Sequence, residues 1–193
     1  MMEIKNKDIR LNSVDFEVRG VEDDVSTHIT GYALKFDRPS EDLGFTEYIE
    51  RGALDKADMS NVVALLNHDS NYVLGRIGKN LVLEVDDIGL RFDIKATETA
   101  YTKDLIENMR NGLIDKCSFA FTIADEGDEW SKDENDQYIR RIRSINKLYD
   151  VSVVTTPAYQ DTEVVLSQRC LNKLKQGNRQ REVEVMEMEL DLI

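Results

Sequence analysis

The sequence predicts an α+β or mainly β fold, in which short strands outnumber helices. Three observations carry this expectation. Apolar and polar residues alternate in short runs along most of the chain. Only two prolines interrupt these runs, and no long repeat or linker separates them between residues 14 and 168. Hydrophobic residues make up 41% of the 193, enough for a buried core and too many for a disordered chain.

Taken in order, Phe16-Glu17-Val18-Arg19 alternates apolar with charged residues. His28 to Phe36 reads as a longer strand ending at the turn Asp37-Arg38-Pro39-Ser40. Val62 to Leu66 is a short apolar run, as expected of a strand buried on both faces. Leu81 to Val85 and Leu90 to Ile94 flank Asp86-Asp87-Ile88-Gly89, which predicts a hairpin. Phe119 to Ile123 and Val151 to Val154 are two further strands.

Helix signals are fewer. Tyr101, Leu105, Ile106 and Met109 share one helical face, Thr97 or Thr99 stands at its start and Gly112 at its end. A shorter helix is expected near Ala53, and a third from Asp161 to Lys175, before Gly177. Residues 125–138 hold seven acids and one lysine. EF-hand ligand spacing is absent there, so a solvated hairpin tip is the expectation. The organisation predicted is a domain over 1–168 and a polar tail over 169–193, whose last residues, Glu182 to Ile193, alternate acid with apolar side chains.

Charge and composition exclude several functions. The net charge of −13 argues against nucleic-acid binding, which needs clustered Lys and Arg on the phosphates. No apolar run approaches the roughly 20 residues of a membrane span, and the first residues, Met1 to Lys7, have no apolar stretch of the signal-peptide kind. Cys117 and Cys170 make no disulfide framework, and no Cys/His set has zinc spacing. A soluble, intracellular protein without metal or cofactor is expected.

The two histidines are the candidates for imidazole chemistry. His28 sits in a strand pattern with no polar constellation beside it, which suits a structural role. His68 ends the apolar run in Asn67-His68-Asp69, where a strand gives way to a turn. Surface turns often hold a histidine, but a strand end also supports an imidazole rigidly enough for a general base. The candidate nucleophile is Ser118. Alternation puts Cys117, Phe119, Phe121 and Ile123 on one face, and Ser118, Ala120 and Thr122 on the other. The second face has only small side chains, so Ser118 is expected to be accessible to an extended peptide. The same parity turns Cys117 toward the core. Asp150, read as heading the strand Val151 to Val154, is the candidate third member. The order His, Ser, Asp differs from those of chymotrypsin, subtilisin and α/β-hydrolases, and no Gly-x-Ser-x-Gly is present.

Several motifs then carry a resemblance. Gly31-Tyr32-Ala33, Phe45 to Ile49 with Gly52-Ala53-Leu54, Asn67-His68-Asp69, Leu74-Gly75-Arg76, Gly89 to Phe92, Asn111 to Ile114, Ser118 to Phe121 and Asp150 to Tyr159 occur in an order that resembles the prohead proteases of tailed bacteriophages. The resemblance covers residues 14–168 and is shared more distantly with herpesvirus assemblins. It implies a serine endopeptidase with an assemblin-like β-barrel surrounded by a few helices. It also implies His68 as general base, Ser118 as nucleophile and Asp150 at a position where many members have Glu. Ala120 stands where Gly is common, and Arg141 resembles a recurrent arginine, implying support of the oxyanion site or of an acid, with a plain surface ion pair as the equal alternative. The implied substrates are the scaffolding region of the major capsid protein and the enzyme itself, cut inside an immature prohead in the host cytoplasm. A homo-oligomer is implied by the assemblin likeness, and the tail is implied as a self-cleaved or scaffold-contacting segment. The alternative of another class is a non-catalytic scaffold or shell-binding protein with the same fold.

Overall fold

β-Branched and aromatic residues between turn formers become paired strands almost throughout. The computed structural model describes residues 7–13, 17–21, 24–40 and 43–155. All lie in the first of two units of the chain, Met1–Ala158. The strands are β1 (Asp8–Ser13), β2 (Glu17–Val21), β3 (Asp24–Lys35), β4 (Thr46–Ile49), β5 (Val63–Leu66), β6 (Asp69–Arg76), β7 (Leu81–Val85) and β8 (Gly89–Lys95). The helix α1 (Ala100–Arg110) follows, then β9 (Lys116–Ile123), β10 (Asp128–Lys132), β11 (Tyr138–Ile142) and β12 (Ile145–Val154).

Three sheets result: β1-β9-β12-β5-β6, β10-β11-β4 and β2-β3-β8-β7. The fold is mainly β, and none of these sheets closes on itself among the described residues. That departs from the expected barrel. The side chains of Phe119, Phe121, Phe92, Leu34, Leu90, Leu105, Ile142 and Leu148 fill one continuous core. Phe119 and Phe121 stack at 5.2 Å, although they are consecutive same-face residues of β9. Burying one such ring contributes on the order of 2–3 kcal/mol.

The hairpin expected around 86–89 forms as β7 and β8. Asp86 organises its turn by accepting from the N–H groups of Ile88 and Gly89. The acidic run does end in a hairpin tip, where Asp133 accepts from the N–H groups of Asn135 and Gln137. Its flanks, however, are strands β10 and β11, and Trp130 packs at 4.8 Å on Phe45.

Helix α1 buries Leu105, Ile106 and Met109, with Thr99 at its N-cap. The Thr99 hydroxyl meets that of Thr102 rather than a backbone N–H. Gly112, at φ 68°, ends the helix as expected. No helix forms near Ala53. Gly52 at φ 85° starts a run of single turns there, closed by Ala53 N–H to Glu50 and Asp55 N–H to Gly52 carbonyls. One helix, rather than a few, therefore accompanies the described strands. The helix expected at 161–175 lies outside the described residues.

Candidate active site

β9 lies inside the five-stranded sheet, between β1 and β12. Its register puts Ser118 opposite Ser152 and Ala120 opposite Asp150, so these four share one face. The core face carries Phe121 opposite Leu148 and Phe119 opposite Val151. Leu148 and Asp150 are two residues apart, yet they point to opposite faces. A register shift between them, a β-bulge, makes the reversal. In a regular ladder of the same residues, alternation would point Asp150 into the apolar core. β12 begins at Ile145, so Asp150 is an interior strand residue and not the head of a strand.

His68 comes from the two-residue loop between β5 and β6. Asn67 and His68 have φ of 54° and 56°. Two successive left-handed residues are the conformation of a type I′ hairpin turn, whose twist matches the flanking strands. The loop is fastened to β12: Asn67 N–H donates to the Val153 carbonyl at 2.9 Å, and the Asn67 side-chain oxygen accepts from Thr155 N–H at 2.9 Å.

From this turn the imidazole bridges the other two candidates. His68 Nε2 is 2.7 Å from Ser118 Oγ, and His68 Nδ1 is 2.6 Å from Asp150 Oδ1. Residues 50 and 82 positions apart in sequence are thus joined in one hydrogen-bonded chain. The Asp150 side chain is 5% exposed and that of His68 10%. Burial pushes the Asp150 carboxyl up. The hydrogen bond and charge of His68, then the charge and hydrogen bond of Lys7, outweigh it and hold the group below the ordinary carboxylate range.

Ser118 itself is 1% exposed. The expectation of an open, small-residue face is corrected here. β9 is an interior strand, and the imidazole, Asp150 and Ser152 pack on the face that Ser118 shares. Cys117 is turned to the core as expected. It is fully buried, and burial pushes its thiol up to about 12, so the thiolate is suppressed. His28 stands apart from this cluster, 2.6 Å from Asp93.

Arg141 does not join the three. Its side chain is 42% exposed, pairs with Glu50 and lies over the Tyr48 ring at 4.9 Å. Its neighbour Arg140 is the buried one. Arg140 and Arg10 both grip Glu47, at 3.2 and 2.9 Å, and Arg140 also meets Asp128 at 2.7 Å. This network ties β1 to the β10-β11-β4 sheet. Burial alone would lower the Arg10 pKa; the charge and hydrogen bond of Glu47, joined by those of Asp8, together outweigh it and raise that pKa.

Two polar neighbours of Asp150 escaped the sequence reading. Ser152 Oγ donates to Asp150 Oδ1 at 2.9 Å, and Lys7 Nζ donates to Asp150 Oδ2 at 2.9 Å. Strand parity from Asp150 was a usable signal for Ser152. Lys7, far away in sequence and ahead of the motifs, gave none.

Chemically, a hydroxyl, an imidazole and a carboxylate in this order can pass a proton from the hydroxyl while the carboxylate stabilises the imidazolium. No curated protein matches the chain significantly. In solved structures the chain is similar to the bacteriophage T4 capsid assembly protease gp21, with a TM-score of 0.52 and 13% identity, over 79% of this chain and 98% of that one. At that identity the likeness speaks for the fold. Residues 13–177 match the family of caudovirus prohead serine proteases. That match spans most of the sequence, and the chain belongs to this family as a serine peptidase of capsid maturation.

Proposed function

We propose that Ser118 is the nucleophile, His68 the general base and Asp150 the residue that orients the imidazole and stabilises its charged form. The observation that carries this reading is His68 itself, with Nε2 at 2.7 Å from a serine hydroxyl and Nδ1 at 2.6 Å from a carboxylate. As Ser118 Oγ attacks a peptide carbonyl, its proton moves to His68 Nε2. The imidazolium then forms beside an ionised Asp150, and Nε2 returns the proton to the leaving amine. A water activated by the same nitrogen releases the acyl group. Held ionised below the usual range, Asp150 keeps its charge throughout.

The substrates proposed are the scaffolding region of the major capsid protein and the enzyme itself, cut within the immature prohead. Family membership supports this reading. Residues 169–193, outside the described residues, are proposed to contact the scaffold or to be removed by self-cleavage. Mass spectrometry of enzyme from mature particles tests that: an intact C-terminus excludes removal.

The main test is Ser118→Ala co-expressed with the capsid protein. Trimming is expected to stop. Unchanged trimming removes Ser118 from the role of nucleophile, and a native chain that never trims its capsid protein favours the non-catalytic scaffold.

A further inference from the structure

We propose that Ser152 is a positioning residue for the triad, which its hydroxyl keeps in a single protonation pattern; the inference rests on the reading of Ser118, His68 and Asp150 given above. Ser152 is 1% exposed and stands directly opposite Ser118 in the β9–β12 register. Its hydrogen is committed to Asp150 Oδ1 at 2.9 Å. Its lone pairs are then turned to His68 Nδ1, which lies 3.2 Å away. His68 Nδ1 thus faces two acceptors, Asp150 Oδ1 at 2.6 Å and Ser152 Oγ. Only a protonated Nδ1 fits between them. The proton is excluded from Nε2, whose lone pair is left for the Ser118 hydroxyl at 2.7 Å.

The same contact fixes the carboxylate. Asp has two side-chain torsions, and an aspartate facing an imidazole from a neighbouring strand needs something to stop it rotating. Ser152 restrains one oxygen and Lys7 the other. Both Asp150 and Ser152 reach this face because the bulge comes immediately before them on β12. Their mutual placement is therefore set by backbone geometry, as a positioning contact requires.

The test uses the full chain with a fluorophosphonate as probe, giving kinact and KI separately. The chain has only two histidines, so nitrogen NMR of ¹⁵N-histidine protein reads the His68 tautomer beside a single other ring. Ser152→Ala is expected to lower kinact about fivefold to tenfold, the equivalent of one ordinary hydrogen bond, with KI unchanged. It is also expected to spread the His68 proton over both ring nitrogens. Ser152→Thr, which keeps the hydroxyl, restores both readouts. A serine that only fills space would leave the nitrogen spectrum as it is. If Ser118→Ala abolishes labelling while Ser152→Ala changes neither kinact nor the spectrum, the positioning role is overturned alone. If labelling survives Ser118→Ala, the triad reading falls, and this proposal with it.

Discussion

Ser118 and Ser152 face each other across the antiparallel β9–β12 pair, so the proposed nucleophile and the hydroxyl that holds Asp150 have their positions set by one backbone register. A site built on adjacent interior strands is stiff, and small chemical changes in it should show in rate before they show in stability.

Asp150→Asn is the sharpest such change. The amide keeps the shape of the carboxylate but can present an N–H to His68 Nδ1. The proton then moves to Nε2, and the Ser118 hydroxyl loses its acceptor. Fluorophosphonate labelling should fall by on the order of 10³–10⁴-fold, while stability falls only by about the 1 kcal/mol of the lost Lys7 pair. A loss below about tenfold would remove Asp150 from the triad.

Lys7→Met, made in a Ser118→Ala background to prevent self-cleavage, tests the ion pair by pH. The folded Asp150 carboxyl lies below its ordinary range. His68 first, and then Lys7, hold it there, so their contacts with the carboxylate stabilise the fold above the unfolded value, near about pH 4, and that stability is lost as pH falls through the folded value. Losing the ammonium raises the folded value again. Urea midpoints should show a loss of about 1 kcal/mol at neutral pH, narrowing as pH falls below the unfolded value and through the folded one. A gap equally wide in acid would mean that Lys7 acts by packing.

Cys117 should be chemically silent. Its thiol is buried on the core face and pushed up to about 12. Peptide mapping after maleimide treatment of the folded protein should find position 117 unmodified. Cys117→Ala should keep full labelling by the fluorophosphonate while losing about 1 kcal/mol of stability. A large rate loss in Cys117→Ala would reopen the choice of nucleophile.

The two adjacent arginines of β11 should behave oppositely. Glu47→Ala leaves the buried guanidinium groups of Arg10 and Arg140 without their shared carboxylate, and urea unfolding should show a loss of about 3–5 kcal/mol. Arg141→Ala removes a half-exposed pairing with Glu50 and the contact with the Tyr48 ring, and should lie within about 1 kcal/mol of the parent. Equal losses would mean the network is not the brace between β1 and the β10-β11-β4 sheet.

Much of this was legible in the chain. Alternation revealed the β7–β8 hairpin and the two faces of β9, because period-2 patterns follow directly from the pleat. The spacing of Leu105, Ile106 and Met109 revealed α1. The trio His68, Ser118 and Asp150 was readable as residue types, and its family-ordered motifs tied them together. What could not be read was non-local. The bulge that swings Asp150 away from Leu148's face leaves no composition signal. The burial of Ser118 depends on β1 and β12 lying on both sides of β9, which parity within one strand cannot reveal. Arg141 stood out only through its likeness to a recurrent family arginine, and such a likeness does not say which of two neighbouring arginines finds a buried carboxylate.

The turn that carries His68 has a consequence for what the chain tolerates. Glycine is the usual occupant of a left-handed position, yet here two side-chain-bearing residues take that conformation in succession. Asparagine enters it with little penalty, and its side-chain oxygen also accepts from Thr155 N–H, whereas histidine, tolerated there too, makes its contacts through its ring nitrogens. A saturation library at position 67 should therefore return Asn, Asp and Gly, selected for dihedral preference. The adjacent codon should return a single answer, selected for a proton acceptor.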